Sequence, residues 1–576
     1  MAQKGRYTKF SNKIGLYGTS KGSYINNDTD VVLNFPFKDT VLEAGMSKED
    51  VGREERFLHI ELDNKDIDTL EEPKVLTNFH YVDKEGDKRL NKDSSVEFFD
   101  DEGNLKQNLL IKGNNLLALY TLREKLAGKV KLIYIDPPYY FRENKQADTF
   151  LYNSNFKLSG WLTFMKNRLE IAKEMLSDDG VMLISISDDG QAYLRVLMDE
   201  VFGQENFVAN MIWEKKKKPS FLSNVGGVTE FIIAYAKNRS NAPIFQYGQT
   251  TKGKKYPVNN AGNTLNTLVF PAGSIKFNII DQVIQPQDMS EGKIITKLLD
   301  ELTIENGKNK NEFRLEGEWR YSQERLNEIL RNNEQVVISK IPFRPNHIKD
   351  GGEPKRMHNL LSIAHYSMST YEDATAEGIK LFGAGTFDYM KPEKLLKVLI
   401  ESVTDTGDLV MDFCLGSGTT AAVAQKLGRK WIGIEQMDYI ETFAKERLVK
   451  VINGEKGGVS ESVDWNGGGS FVYFELKKYN QEYVDRIMNA SSLSELEDLY
   501  VDMRNNAFLK FWFDRNEFEK DESFRKLDIE QRKQKLIDVL DENQLYLNYA
   551  DMNDTRHEVS DDEKTLTDKF YGTAEN

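Results

Sequence analysis

The stretch LVMDFCLGSGTTAAVAQKLGRKWIGIE, residues 409–435, sets an apolar strand, a glycine turn, a short helix and a second strand in direct succession. That succession predicts a βαβ unit and hence a parallel sheet. Gly416 and Gly418 let the turn backbone approach a ligand closely, and the amides that open the next helix favour negative groups. Glu435 ends the second strand, 23 residues after Asp412, where it can accept hydrogen bonds from ribose hydroxyls. Alone, the same pattern also suits a tight strand–helix turn with no ligand. The run G-S-G-T-T is not the GxGxxG dinucleotide fingerprint, and the chain carries no GxxxxGK[ST] loop. ATP and nicotinamide cofactors are therefore not expected.

Working outward, strands and helices alternate on both sides of this unit. NLLIKGNNLLALYTLREKL reads as strand, turn and helix, and KVKLIYI as a buried strand because its apolar residues run on instead of alternating. In GWLTFMKNRLEIAKEML, Trp161, Met165, Leu169, Ala172 and Leu176 recur at helical spacing, with Gly180 as the expected stop. VMLISIS is a second buried strand, Asp188 or Asp189 is the expected cap of the helix QAYLRVLMDEVF, and EFIIAYAK makes a further strand. The alternation fades between about 240 and 375 and resumes with KPEKLLKVLIESV. The expectation is an α/β fold with a doubly wound, mostly parallel sheet, interrupted by an inserted domain.

Composition bounds the function. With 29% charged and 39% hydrophobic residues the chain is of the folded, water-soluble kind. No apolar run approaches bilayer length and no signal-peptide core opens the chain, so a cytoplasmic protein without membrane contact is expected. One cysteine, Cys414, excludes a disulfide framework. The six histidines show no metal-ligand spacing, and no metal is expected. The net charge is −15, yet residues 205–357 hold 23 Lys+Arg against 17 Asp+Glu. Such a basic island can bind phosphates whatever the total charge. Its candidates are Lys215, Lys216, Lys217 and Lys218 in KKKKP, and Lys340, Arg344, Lys349, Lys355 and Arg356 in KIPFRPNHIKDGGEPKRMH. Solvated surface is the competing reading of both runs.

KLIYIDPPYYF, residues 131–141, then places Asp136, Pro137, Pro138 and Tyr139 at a strand end, where open α/β sheets bind ligands. An exocyclic base amine is a poor nucleophile because its lone pair is delocalised into the ring. A carboxylate and a backbone carbonyl that accept its two N–H bonds draw the nitrogen towards tetrahedral geometry. An aromatic plate then holds the base by stacking, worth about 1–3 kcal/mol.

Asp136-Pro137-Pro138-Tyr139 resembles the DPPY signature of the S-adenosyl-L-methionine-dependent amino-methyltransferases of DNA, and DFCLGSGTT resembles their cofactor-binding region. The order, catalytic motif first and cofactor motif after a basic insertion, is similar to the β class. KDTVLEAGMSKED, WLTFMKNRLEIAKEMLSDDGV, AYLRVLMDEVFG and GGSFVYFEL further resemble the modification (Mod) subunit of type III restriction-modification systems. The resemblance implies a sheet of the Rossmann-like methyltransferase type, an inserted target-recognition domain and a helical C-terminal domain. It implies adenine N6 methylation from S-adenosyl-L-methionine, with the target base extruded from double-stranded DNA. Asp136 and the Pro137 carbonyl would hold the amine and Tyr139 would clamp the ring. Asn114, Asn115, Lys391, Asp412, Cys414, Gly416, Gly418, Thr419 and Glu435 would hold the cofactor. A homodimer and a restriction (helicase-nuclease) partner follow from the same resemblance. N4-cytosine methylation and a non-catalytic recognition subunit are the alternatives.

Three positions depart from the family pattern. Tyr140 stands where asparagine is usual, Cys414 where phenylalanine is frequent, and Asn114 where aspartate is frequent. The expected division is an N-terminal extension (1–105), a catalytic half (106–240), the insertion (241–375), a cofactor half (376–466) and a C-terminal domain (467–576).

Overall fold

The computed structural model of the chain describes residues 72–141, 157–219, 225–249, 252–349, 351–383, 389–507, 527–540 and 545–573, with a few isolated residues besides. The segment 38–50, KDTVLEAGMSKED, falls almost wholly outside these spans. The chain divides into two compact units, Met1–Ile244 with His358–Asn576, and Phe245–Met357.

The first unit is built on an eleven-stranded sheet. Its strands in chain order are β1 (Leu76–Asp83), β2 (Gly86–Arg89), β3 (Asn108–Lys112), β4 (Val130–Ile135), β5 (Leu176–Ile186), β6 (Phe207–Glu214), β7 (Thr229–Ala236), β8 (Leu360–Leu361), β9 (Leu409–Asp412), β10 (Lys430–Glu435) and β11 (Phe471–Leu476). Across the sheet they stand in the order β8-β6-β7-β5-β4-β9-β10-β3-β11-β1-β2. The six from β5 to β11 run parallel, and antiparallel strands flank them on both sides. The continuous apolar runs occupy the parallel centre, because strands covered on both faces must be apolar at every residue.

The longer helices of this unit among the described residues are α1 (Asn115–Leu126), α2 (Leu158–Met175), α3 (Asp188–Phe202), α4 (Tyr371–Phe382), α5 (Glu393–Val403), α6 (Thr419–Lys426), α7 (Glu446–Ile452), α8 (Asn480–Asn489), α9 (Leu493–Asn506), α10 (Ile529–Asp538) and α11 (Asp561–Tyr571). Ile133, Met182, Met411 and Ile432 join the core made by α1, α2, α3 and α11. Their strand neighbours Leu132, Leu183, Val410 and Trp431 are equally buried, and the Trp431 indole donates to Gln425 of α6. Successive residues of a strand therefore feed two helical layers.

The paired strands β4 and β9 lie at the centre, with Leu132 opposite Val410. From β4 the chain crosses through α2 to β5 on one side, and from β9 through α6 to β10 on the other. The crossovers part between these two strands, which opens a crevice at their carboxyl ends.

Some local expectations change. Helix α2 stops at Met175, and β5 begins at the next residue. Gly180 lies within that strand, where a Cβ would come 2.9 Å from the Ser177 and Val130 carbonyl oxygens, so glycine serves close approach there and not helix termination. Ser187 is the N-cap of α3, and Asp188 and Asp189 occupy its first turn, where the helix dipole favours acids. The inserted unit is narrower than 241–375, because β8 and α4 pack with the first unit. Residues 467–476 are no separate tail, since β11 pairs with β3 and β1 inside the main sheet and Phe570 of α11 packs on Phe98 and Phe474. Helices α8, α9 and α10 do form a small core of their own around Ile487, Leu496, Met503 and Leu536.

The second unit carries a seven-stranded sheet, a four-stranded sheet and the helix Gln323–Arg331. Its core includes Phe270 stacked on Phe313 at 5.0 Å between ring centroids. Gln246 pairs with Arg356 in a two-stranded ribbon where the chain enters and leaves the unit. His347, in the seven-stranded sheet, is buried against Glu334 at 2.7 Å.

Candidate active site

A cleft of about 740 Å³, counted out to its open mouth, occupies the crevice beyond β4, β9 and β10. Asp136 directly follows β4, while Asp412 and Glu435 are the last residues of β9 and β10, so three carboxyl groups meet in its wall. Asn115, Lys391, Cys414, Gly416 and Thr419 also line it. The stretches holding Asp136 and Asp412, far apart in sequence, are thus brought together.

Asp136 is held by one cation. Lys391 Nζ lies 2.8 Å from both of its carboxylate oxygens. The same ammonium donates to the hydroxyls of Tyr139 (3.1 Å) and Tyr371 (2.9 Å), and stands 3.8 Å from Glu230. Glu230, in β7, accepts from Tyr371 at 2.8 Å and from Lys215 at 3.0 Å. Burial pushes the Asp136 carboxyl up, and Lys391 pulls it back down. Tyr139 is itself buried, and that burial, with the neighbouring carboxylates Asp136 and Glu230, pushes its phenol well up.

Trp161 of α2 fixes the double-proline bend, its indole donating to the Pro138 carbonyl at 2.7 Å. Tyr140 packs at 6.1 Å from the Trp161 ring and edge-on at 6.0 Å to Tyr193. Its ring therefore braces the bend from behind. Pro138 reaches the cleft wall; Pro137 and Tyr139 lie behind it.

The glycine turn is organised by acids. Glu435 accepts the backbone N–H groups of Gly416 (2.9 Å), Gln436 (2.9 Å) and Met437 (3.1 Å), and the Tyr439 hydroxyl as well. Asp412 accepts from the Cys414 N–H at 2.9 Å and the Thr420 hydroxyl at 2.6 Å, and burial pushes its carboxyl up to about 7. Gly416 and Gly418 both have left-handed backbones, and a Cβ on Gly418 would meet the Ala444 Cα at 3.0 Å. Gly418 thus serves packing and stays out of the wall. Below the turn, the buried Arg447 donates to Thr419 at 2.6 Å and to Glu393 at 3.1 Å. Asn115 donates to the Phe413 carbonyl at 2.8 Å and is held in place by Arg168 at 2.7 Å. Asn114 caps α1 and is absent from the wall.

The basic residues divide. Lys215 is committed to Glu230 and Lys217 to Asp373, whereas Lys216 and Lys218 flank them. In the second unit, Arg344 is tied to the Met289 and Phe343 carbonyls and to Thr296, and Lys349 pairs with Glu353. Lys340, Lys355 and Arg356 are exposed.

Sequence reading missed Glu230, Tyr371, Tyr389, Arg447 and Tyr439. Glu230, an acid opening an otherwise apolar strand, was the one visible signal. Among the described residues no cluster of metal-ligating side chains occurs, and no helix is long and apolar enough to cross a membrane.

Residues 130–446 match the family model described as DNA methylase. The chain is 32% identical to the "Probable type III restriction-modification enzyme HindVI Mod subunit" of Haemophilus influenzae, over 98% of the chain and 88% of that protein. It is 31% identical to the type III restriction-modification enzyme EcoPI Mod subunit of Escherichia phage P1, over 57% of the chain and 56% of that protein. A solved structure of an M1.HpyAVI-SAM complex covers 59% of the chain and 99% of its own, at 16% identity and a TM-score of 0.29. The fold is that of a DNA methyltransferase. The chain belongs to the DNA methylase family, among the Mod subunits of type III restriction-modification enzymes.

Proposed function

We propose that the chain methylates the N6 amine of an adenine extruded from double-stranded DNA, using S-adenosyl-L-methionine. The observation that carries this is the position of Asp136, clamped as a carboxylate at the crevice beside the glycine turn. The donor set suits such a cofactor: three carboxyl groups for a cationic molecule with a diol, and the hydroxyls of Ser417 and Thr419. When bound, S-adenosyl-L-methionine supplies an electrophilic methyl group. Asp412 and Asn115 would hold its amino-acid end, and Glu435 its ribose. The acceptor positions of Glu435 are already occupied by three amides and Tyr439, so a ribose there takes the place of the Tyr439 hydroxyl.

Asp136 would accept one N–H of the target amine and the Pro137 carbonyl the other, since the Pro138 carbonyl is engaged by Trp161. Both withdraw the nitrogen lone pair from the ring. Lys391 keeps Asp136 an acceptor and not a donor, and fixes its orientation. Site recognition is assigned to the second unit, with Lys340, Lys355 and Arg356 as its exposed cations, and to Lys216 and Lys218. A restriction subunit and a second copy of the chain are the partners this reading implies, in the cytoplasm. Asp136 favours adenine over N4-cytosine as the target.

Single-molecule sequencing of DNA from cells expressing the chain tests the reading. Methylated adenines at one short site are expected from the wild type and none from Asp136→Ala. N4-methylcytosine at that site, or no modification beside site-specific DNA binding, would sink it.

A further inference from the structure

Among the described residues of the cleft wall, Tyr389 combines a left-handed backbone with an exposed side chain. Its φ is +60°, in the left-handed region that a bulky L side chain rarely adopts. The residue is 49% exposed, while the neighbouring Met390 and Lys391 are buried. Of the three other aromatic walls, Tyr134 and Phe413 are each 1% exposed, so their faces are spent on the protein core, and Tyr439 is half-buried with its hydroxyl on Glu435. A glycine at 389 would relieve the backbone, and a small side chain would fill the same solvent-facing place. Strain retained with a large exposed ring points to a ligand contact.

The ring is also tied to the reacting centre. It stands edge-on to Tyr371, with centroids 6.0 Å apart. The Tyr371 hydroxyl binds Lys391, whose ammonium lies on both oxygens of Asp136. Tyr139, the ring expected to stack on the base, is buried behind the wall with its hydroxyl bound by Lys391. Little of its surface remains for a second ring.

We propose that Tyr389 is a base-stacking residue, supplying the exposed aromatic face on which the extruded target purine lies while Asp136 holds its amine. This rests on the reading of the chain as a base-extruding adenine methyltransferase. An adenine ring has two sources here, the target and the cofactor. The target is favoured because Tyr389 adjoins the Lys391–Asp136 pair, whereas the carboxylate assigned to the ribose, Glu435, is on another strand beside Tyr439.

The test uses the full chain and a duplex carrying 2-aminopurine at the adenine mapped by sequencing. Tyr389→Phe is expected to keep the fluorescence change on binding. Tyr389→Leu and Tyr389→Gly are expected to lose most of it and to fall about 10- to 100-fold in kcat/KM for DNA, the range that stacking on one ring supplies. Affinity for S-adenosyl-L-methionine without DNA should stay within twofold, and Tyr389→Gly should melt at or above the wild-type temperature as strain is released. Wild-type fluorescence and kcat/KM in the leucine variant would overturn the proposal. Loss of cofactor affinity with a normal fluorescence response would overturn it in favour of the cofactor's adenine. Failure of the underlying reading is distinct, since no adenine would then be modified by the wild type at all.

Discussion

Lys391 Nζ stands 2.8 Å from each carboxylate oxygen of Asp136, so a single ammonium both neutralises and aims the group at the bottom of the cleft. Asp136→Asn keeps the shape and removes the charge. Methyl transfer should fall by roughly 10²- to 10³-fold while cofactor affinity changes less than threefold, as single-turnover transfer and equilibrium dialysis would register. Unchanged transfer would remove Asp136 from the chemistry.

Lys391→Met takes away the charge that opposes the effect of burial on Asp136. The carboxyl then rises further, and the form able to accept the amine hydrogen is reached only at higher pH. The acid limb of the pH–rate profile should move towards alkali. A limb that stays in place would mean that Asp136 does not set it.

Asp412 titrates at about 7 because it is buried. Its charged form is the one that attracts an ammonium, so cofactor affinity should weaken as pH falls through 7, by up to about tenfold per unit. Asp412→Asn should flatten that dependence. For folding the sign reverses. The folded state holds the proton more tightly than the unfolded chain, so this group favours folding as pH falls from about 7 towards 3.8.

Arg447 joins the glycine turn to the segment that carries Lys391, through Thr419 on one side and Glu393 on the other. All of this is buried, with Lys426 as the second cation on Glu393. Arg447→Met should cost about 3–5 kcal/mol, the price of a broken buried pair, measured by urea unfolding. Cofactor affinity should fall with it, since the hydroxyl of Thr419 loses its anchor. A stable variant with normal affinity would show that the turn holds itself.

Cys414 is the only cysteine, which makes alkylation a clean probe of the cleft. Burial and the nearby Asp412 and Glu435 push its thiol well up. Iodoacetamide at pH 8 should label the native chain at least about tenfold more slowly than the urea-unfolded chain, because the thiolate is the nucleophile. S-adenosyl-L-methionine should slow it again.

The parallel centre and the crevice were legible because continuous apolar runs and a glycine turn are written locally. The meeting of Asp136 with Asp412 was legible only through family resemblance, since nothing in either stretch specifies that β4 and β9 pair. The cage around Lys391 was not legible. Glu230, Tyr371 and Lys391 come from three separate segments, and nothing local shows that they meet, although Glu230 stands out as an acid in an apolar strand. Tyr140, which stood out as a departure, proved to brace Trp161. Lys215 and Arg344 looked like phosphate contacts, yet they satisfy buried or half-buried acceptors.

The ribbon in which Gln246 faces Arg356 bears on how the chain assembles. Strands β4 and β9 must find each other across the whole inserted unit before any active site exists. If Phe245–Met357 folds early, its ends meet in the ribbon, closed by the Phe245 carbonyl and the Met357 N–H at 2.8 Å. The long intervening segment then counts as a short hairpin in the entropy of joining the two strands. Its interior can lengthen or change sequence without slowing the assembly of the site.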